Sequence, residues 1–233
     1  WANVRSSPDH PHFHSPPMDI VWFGQSCFRL QSSQATVLTD PFQPLPPAAL
    51  IGVDMVTISD RSRRASLQDV GAGRIVDGPG EYEIKGVPIT GIAAPSAEAA
   101  DGAAAGKTFM YTVVLDGITV CHLGRAAALP TGSHLQEIGQ PDVLLIPLGG
   151  TFGMTAARAV QLASQLEAKL LVPMTAGQPS DIAVLEAFCK ELGADPNAVE
   201  ERVSVTATGL AAQTRVALLA SQGIAQGSTQ DSE

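Results

Sequence analysis

Apolar residues fall in this chain in short runs with two different rhythms, and the rhythm changes near the middle. In the first half the runs are β-rich and separated by Gly, Pro and Asp. They cover 19–30 (DIVWFGQSCFRL, broken at Gly24), 35–38 (ended by Asp40-Pro41) and 55–59 (MVTIS). Such runs predict strands, with a proline-rich loop through Pro44, Pro46 and Pro47 between the second and third. Further strands are expected over 74–92, around the turn Asp77-Gly78-Pro79-Gly80, and the Ala/Gly-rich 93–107 reads as a surface loop. Runs at 109–115 and 118–123 flank Asp116-Gly117, the pair that favours a tight hairpin. The first half is therefore expected to be mostly antiparallel β.

The second half alternates buried strands with helical spacing. The run 143–148 is continuously apolar and ends in Gly149-Gly150. Thr155 is expected to cap a helix to about 167, with Ala159, Leu162 and Leu166 on one face. A strand at 169–173 follows. Ser180 is expected to cap a second helix to 192, with Ile182, Leu185, Phe188, Cys189 and Leu192 as its apolar stripe and Gly193 as its stop. Asp195-Pro196 predicts a short helical turn, and 203–206 and 214–219 the last strands. Strands first and βαβ units after predict an α/β (α+β) protein of two sheets packed face to face with helices outside.

Composition narrows the partners. The chain has 233 residues, 45% of them hydrophobic, and a net charge of −9. An apolar share of that size supports one sizeable core, and the negative balance argues against nucleic-acid or acidic-membrane partners. The expected organisation is a single domain over 18–220, a leader at 1–17 and a flexible tail at 221–233. The leader holds alternating His10, His12 and His14 among prolines, a pattern expected of a floppy segment. Cys27, Cys121 and Cys189 are far apart and lie in apolar runs, so buried free thiols and a reducing, cytoplasmic setting are expected.

Specific strings carry a resemblance. VWFGQSCFRL at 21–30, TDPF at 39–42, VDGPGEYEIKGVPITGI at 76–92, DGITVCHLG at 116–124, PDVLLIPLGG at 141–150 and AKLLVPM at 168–174 occur in that order. Together they resemble the metallo-β-lactamase-fold hydrolases, in the branch of short single-domain proteins related to the ascorbate-6-phosphate lactonases. The resemblance covers about residues 18–219. It implies a four-layer αββα sandwich with the site at the edge between the sheets. It also implies one or two zinc or manganese ions that acidify a bound water and polarise a carbonyl or phosphoryl group.

The implied ligands are replaced. Where the family has its HxHxDH motif, this chain has Asp60 for the first histidine, Ser62 for the second, Arg64 for the aspartate and Ala65 for the last histidine. A further family histidine falls near Pro95-Ser96, the bridging aspartate after CHLG is Arg125, and the late histidine after the Val-Pro-Met strand is Thr175. Gln25 stands where the family has a supporting histidine after Trp-Phe-Gly. Asp60 with Asp40 could hold a metal weakly, but the arginines aligned to the same region oppose a divalent cation. His122 lies in the CHLG strand at a structural position, and His134 in a polar segment before a helix.

Other chemistries are poorly served. There is no GxSxG elbow and no phosphate-binding glycine fingerprint. Cys27 has no family histidine beside it, and Asp77, Glu81 and Glu83 read as part of a structural turn. The expectation is thus a metal-free, non-catalytic pseudoenzyme that needs no cofactor and binds a partner, in one reading a small anion held by Arg61, Arg63, Arg64 and Arg125. Glycines Gly149-Gly150 ahead of the helix at Thr155 could add backbone donors. The opposing readings are internal pairing of Arg64 and Arg125 with Asp40 and Asp60, a structural paralogue of an active relative, and a repurposed hydrolase of an anionic or phosphorylated small molecule.

Overall fold

Period-two alternation sends successive side chains of each strand to opposite faces, and in the runs 36–39, 55–57 and 143–148 both faces are buried. The computed structural model describes residues 16–67, 73–95, 107–126, 128–130, 132–150, 153–210 and 213–223. Its elements are β1 (Met18–Gly24), β2 (Cys27–Gln31), β3 (Thr36–Thr39), α1 (Pro47–Leu50), β4 (Met55–Thr57), a 3-10 segment (Arg61–Leu67), β5 (Arg74–Val76), β6 (Gly80–Ile84), β7 (Val87–Pro95), β8 (Lys107–Leu115) and β9 (Ile118–His122). They continue with α2 (Gly132–Ile138), β10 (Val143–Leu148), α3 (Ala156–Leu166), β11 (Leu170–Thr175), α4 (Pro179–Glu191), β12 (Val199–Glu200), β13 (Val203–Val205), β14 (Arg215–Val216) and β15 (Leu218–Leu219).

One sheet runs β13-β1-β2-β3-β4-β5, the second β14-β11-β10-β9-β8-β7-β6, and β12 pairs with β15. Between the two large sheets lie Met18, Ile20, Phe28 and Leu30 from one side and Tyr111, Val113, Val143, Leu145 and Val172 from the other. The alternate residues of β10, Leu144, Ile146 and Leu148, face Ala159, Leu162 and Leu166 of α3 and Phe188 of α4. Cys27, Leu38 and Val56 cover the outer face of the first sheet together with Leu45 and Ala49. The result is the four-layer αββα sandwich, each fully buried Leu, Ile or Phe contributing about 1.5–3 kcal/mol of apolar transfer.

The first half is mostly antiparallel, as expected, with β3, β4 and β5 pairing in parallel. Several local expectations differ from the structure. Gln178, not Ser180, caps α4: Pro179 occupies the first turn, and Gln178 and Asp181 exchange hydrogen bonds in a capping box. The α4 stripe is narrower than predicted, with Phe188 and Cys189 buried, Leu185 and Leu192 partly buried, and Ile182 61% exposed. His134 lies inside α2. Asp195-Pro196 forms a turn and no helix. The loop expected over 93–107 begins later, since β7 reaches Pro95 and β8 starts at Lys107, and 96–106 lie outside the described residues. The leader lies outside them up to residue 15, and so does the tail from 224. All three cysteines are buried and free. Among the described residues no helix is long and apolar enough to cross a membrane.

Candidate functional site

Parallel pairing gathers strand ends. The pairs β3–β4, β9–β10 and β10–β11 are parallel, so the segments that follow these strands emerge along one edge of the sandwich. In open α/β sheets, ligand sites form beyond the carboxyl ends of such strands. That edge receives Asp40 after β3, Ser59 and Asp60 after β4, Gly124 and Arg125 after β9, Gly149 after β10 and Thr175 at the end of β11. The β1–β2 turn adds Gln25 through two positive φ angles, 105° at Gly24 and 49° at Gln25. The Trp22 indole donates to the Gln25 carbonyl at 2.8 Å and pins the turn.

Asp40 is the anchor. It is 4% exposed, with a positive φ of 38°. Its carboxylate accepts from the Ser59 backbone N–H at 2.6 Å and from the Ser59 hydroxyl. Ser59 in turn ties the sheets together, its carbonyl accepting from the Phe109 N–H at 2.8 Å, while the Tyr111 hydroxyl donates to the Ile58 carbonyl at 2.8 Å. Burial, and then the Asp40 charge, push the Tyr111 hydroxyl and the Cys27 thiol well above their ordinary values, so neither is a nucleophile or a base at neutral pH. Burial alone pushes Cys121 up to about 12.

The arginines divide into two groups. Arg61 donates to the Asp77 carbonyl at 2.9 Å and lies 5.4 Å from the Phe109 ring centroid. Arg64 pairs with the Asp77 carboxylate at the surface, a kind of pair that stabilises little. Both are thereby directed to the Asp77 turn, a partner that sequence reading treated as structural only. Arg125 is half-buried and stands in the fields of Arg63, Asp60 and Asp40. Burial chiefly, then Arg63, lower its guanidinium below the ordinary value, and Asp60 and Asp40 offset part of this.

Beside Arg125 opens a cavity of about 220 Å³. Gln25, Arg125, Thr175 and Gln178 supply its polar lining, and Leu148 and Met174 an apolar part. Gln25, Arg125 and Thr175, three positions that the resemblance singled out, are thus brought together. Asp60, Ser62 and Arg64 belong to the 3-10 segment and the residue before it, and they do not line this cavity; Ala65 lies in the same segment. Sequence reading missed Gln178, although Pro179 at the helix start was the available signal.

Among the described residues, the side chains at this edge do not make up a ligand set for a divalent metal. Asp60 Oδ1 accepts from the Ser62 N–H at 3.0 Å and from the Ser62 hydroxyl at 2.6 Å, and Asp40 is taken up by Ser59. Arg64 and Arg125 carry donors only. Among the described residues no group of three or more His, Cys, Asp or Glu side chains could hold a metal ion.

His122 is 1% exposed, with its ring edge-on to Phe28 at 6.3 Å. Neither ring nitrogen has a partner of good hydrogen-bond geometry. Burial lowers its pKa, and the Asp40 charge and the Ser26 backbone oppose this only in part. A depressed folded-state value means that the unfolded chain takes up the proton first, so stability is full above the ordinary value of 6.5 and is lost as pH falls below it. His122→Leu is therefore expected to gain on the wild type on going from about pH 7.5 to about pH 5.5. Urea unfolding at both pH values measures this, and an unchanged difference between the two proteins would refute it.

The site can now be set beside known proteins. Residues 19–175 match the Beta-lactamase superfamily domain. A UPF0173 metal-dependent hydrolase of Methanoculleus marisnigri is 26% identical over 181 residues, covering 67% of this chain and 80% of that protein. Its counterpart in Methanoregula boonei is 27% identical over 188 residues, covering 67% and 81%. A crystal structure from Thermotoga maritima, described as a candidate zinc-dependent hydrolase of the metallo-β-lactamase superfamily, superposes with a TM-score of 0.68 at 29% identity, covering 87% of this chain and 98% of that one.

Proposed function

The chain belongs to the Beta-lactamase superfamily, in company with proteins named metal-dependent hydrolases, and from that premise we propose that it binds a small anionic molecule at the family's site without a metal and without hydrolysing it. The observation that carries this reading is the cavity lined by Gln25, Arg125 and Thr175, three positions where the resemblance implies the family's supporting or ligating groups.

Hydrolysis in this fold needs a group that makes hydroxide at neutral pH, which a bound metal supplies. At this edge the side chains are the guanidiniums of Arg125 and Arg63, two carboxylates already engaged by serines, and uncharged amides and hydroxyls. Such a set holds and orients an anion, since Arg125 offers paired N–H donors to a carboxylate or phosphate and Gln25, Thr175 and Gln178 add neutral ones. The function is then recognition: a catalytic scaffold keeps its cavity and exchanges Lewis acid for hydrogen-bond donor.

The full chain with His10, His12 and His14 changed to alanine tests this. After exposure to zinc and manganese and then dialysis, it is expected to keep far less than one equivalent of either. Its esterase, lactonase and phosphodiesterase activities should stay at background. One retained equivalent together with turnover above background would overturn the reading.

A further inference from the structure

We propose that the ligand is an aliphatic monocarboxylate whose head meets Arg125 and whose chain runs over Thr175 and Gln178 to Ile182 on α4. This rests on the reading of the site as a metal-free binding cavity.

Two cavities meet at this place. The one beside Arg125 is about 220 Å³, smaller than the ~300–1,000 Å³ of sites for drug-sized ligands. A second, of about 260 Å³, shares Thr175 and Gln178 with it and continues along Pro179, Ile182 and Leu185. The two adjoin at Thr175 and Gln178, the first with a cationic residue in its wall and the second with aliphatic ones.

Charge sets both the class and the direction of the ligand. Among the described residues lining the first cavity, Arg125 is the only charged one. Arg61 and Arg64 are directed to Asp77, and Asp40 and Asp60 already act on Arg125. Arg63 also acts on Arg125, so two guanidiniums stand against the two carboxylates of Asp40 and Asp60, and an end so nearly balanced matches one negative charge better than two. Among the described residues lining the second cavity there is no cation, and its one charged residue is Asp181, 2% exposed, whose Oδ1 lies beside Gly149 between the two cavities and has no hydrogen-bond partner. The head therefore belongs at Arg125 and an uncharged chain along α4. The chain then covers Ile182, a large apolar residue on the stripe side of α4 that the fold leaves 61% exposed.

Isothermal titration of the full-length protein with butyrate, hexanoate and octanoate, and with octylamine and inorganic phosphate, tests the proposal. Affinity is expected to rise about two- to fourfold per added methylene, with octylamine and phosphate at least about tenfold weaker than octanoate. Arg125→Gln should weaken all three carboxylates by about tenfold or more. Ile182→Ser, at an exposed position where folding is not at stake, should weaken octanoate by about tenfold and leave butyrate unchanged. A flat chain-length series, or an Ile182→Ser protein that binds octanoate like the wild type, would overturn the carboxylate class. If phosphate still bound in that case, the metal-free anion site would stand. A stoichiometric metal in the same protein, displaced by octanoate, would overturn both.

Discussion

Replacing Asp40 with alanine is expected to cost about 2–6 kcal/mol of stability, since each of two buried donors left without its acceptor costs about 1–3 kcal/mol. Both Ser59 donors, the backbone N–H at 2.6 Å and the hydroxyl, would lose their acceptor in a place that water does not reach. Ser59 also holds Phe109 across the sheets, so the loss should spread to the edge that carries the cavity. For a chain of this size the cost corresponds to a fall in melting temperature of several degrees or more. Asp40→Asn keeps one acceptor oxygen and should lose roughly half as much. Thermal unfolding of the two variants beside the wild type measures this, and an alanine variant melting within a degree or two of the wild type would show that Asp40 does not anchor the site.

Gly124→Ala is expected to be nearly as damaging, at about 2–5 kcal/mol. Two causes combine there. The residue has a φ of 59°, which costs an L-residue roughly 1–2 kcal/mol. A Cβ built on it would also lie 2.4 Å from the Ser59 Cβ and 2.8 Å from the Phe109 carbonyl oxygen, and overpacking of that kind costs roughly 1–3 kcal/mol more. Gly117 provides the control. Its φ is 79°, but nothing lies within 4 Å of its would-be Cβ, so Gly117→Ala should show the backbone cost alone. Equal losses in the two variants by chemical denaturation would remove the steric part of the explanation. Because Gly124 precedes Arg125, the damaged protein should also bind anions less well at temperatures where it remains folded.

Much of the scaffold was legible in the sequence because strands and amphipathic helices announce themselves locally. The alternation in 143–148 already separates Leu144, Ile146 and Leu148 from Val143 and Leu145, and those two sets do enter different cores. Asp116-Gly117 is a hairpin turn, and Thr155 caps α3. The strings shared with the hydrolases named the fold correctly. They also picked out Gln25, Arg125 and Thr175, residues far apart in the chain that line one cavity. What local pattern could not supply was direction and partner. Ile182 sits on the stripe side of α4 yet faces solvent, because the α4 contact is made by Phe188 and Cys189, and only the placement of the helix on the sheet decides that. The four arginines that fall together by alignment are divided in space, since Asp77, separated from Arg64 by 13 positions, follows β5 directly and draws Arg61 and Arg64 toward its turn. Whether neighbouring charges act as one cluster depends on distances across strands. Those are set by sheet register and by the burial that makes a nearby carboxylate a stronger partner than a distant one.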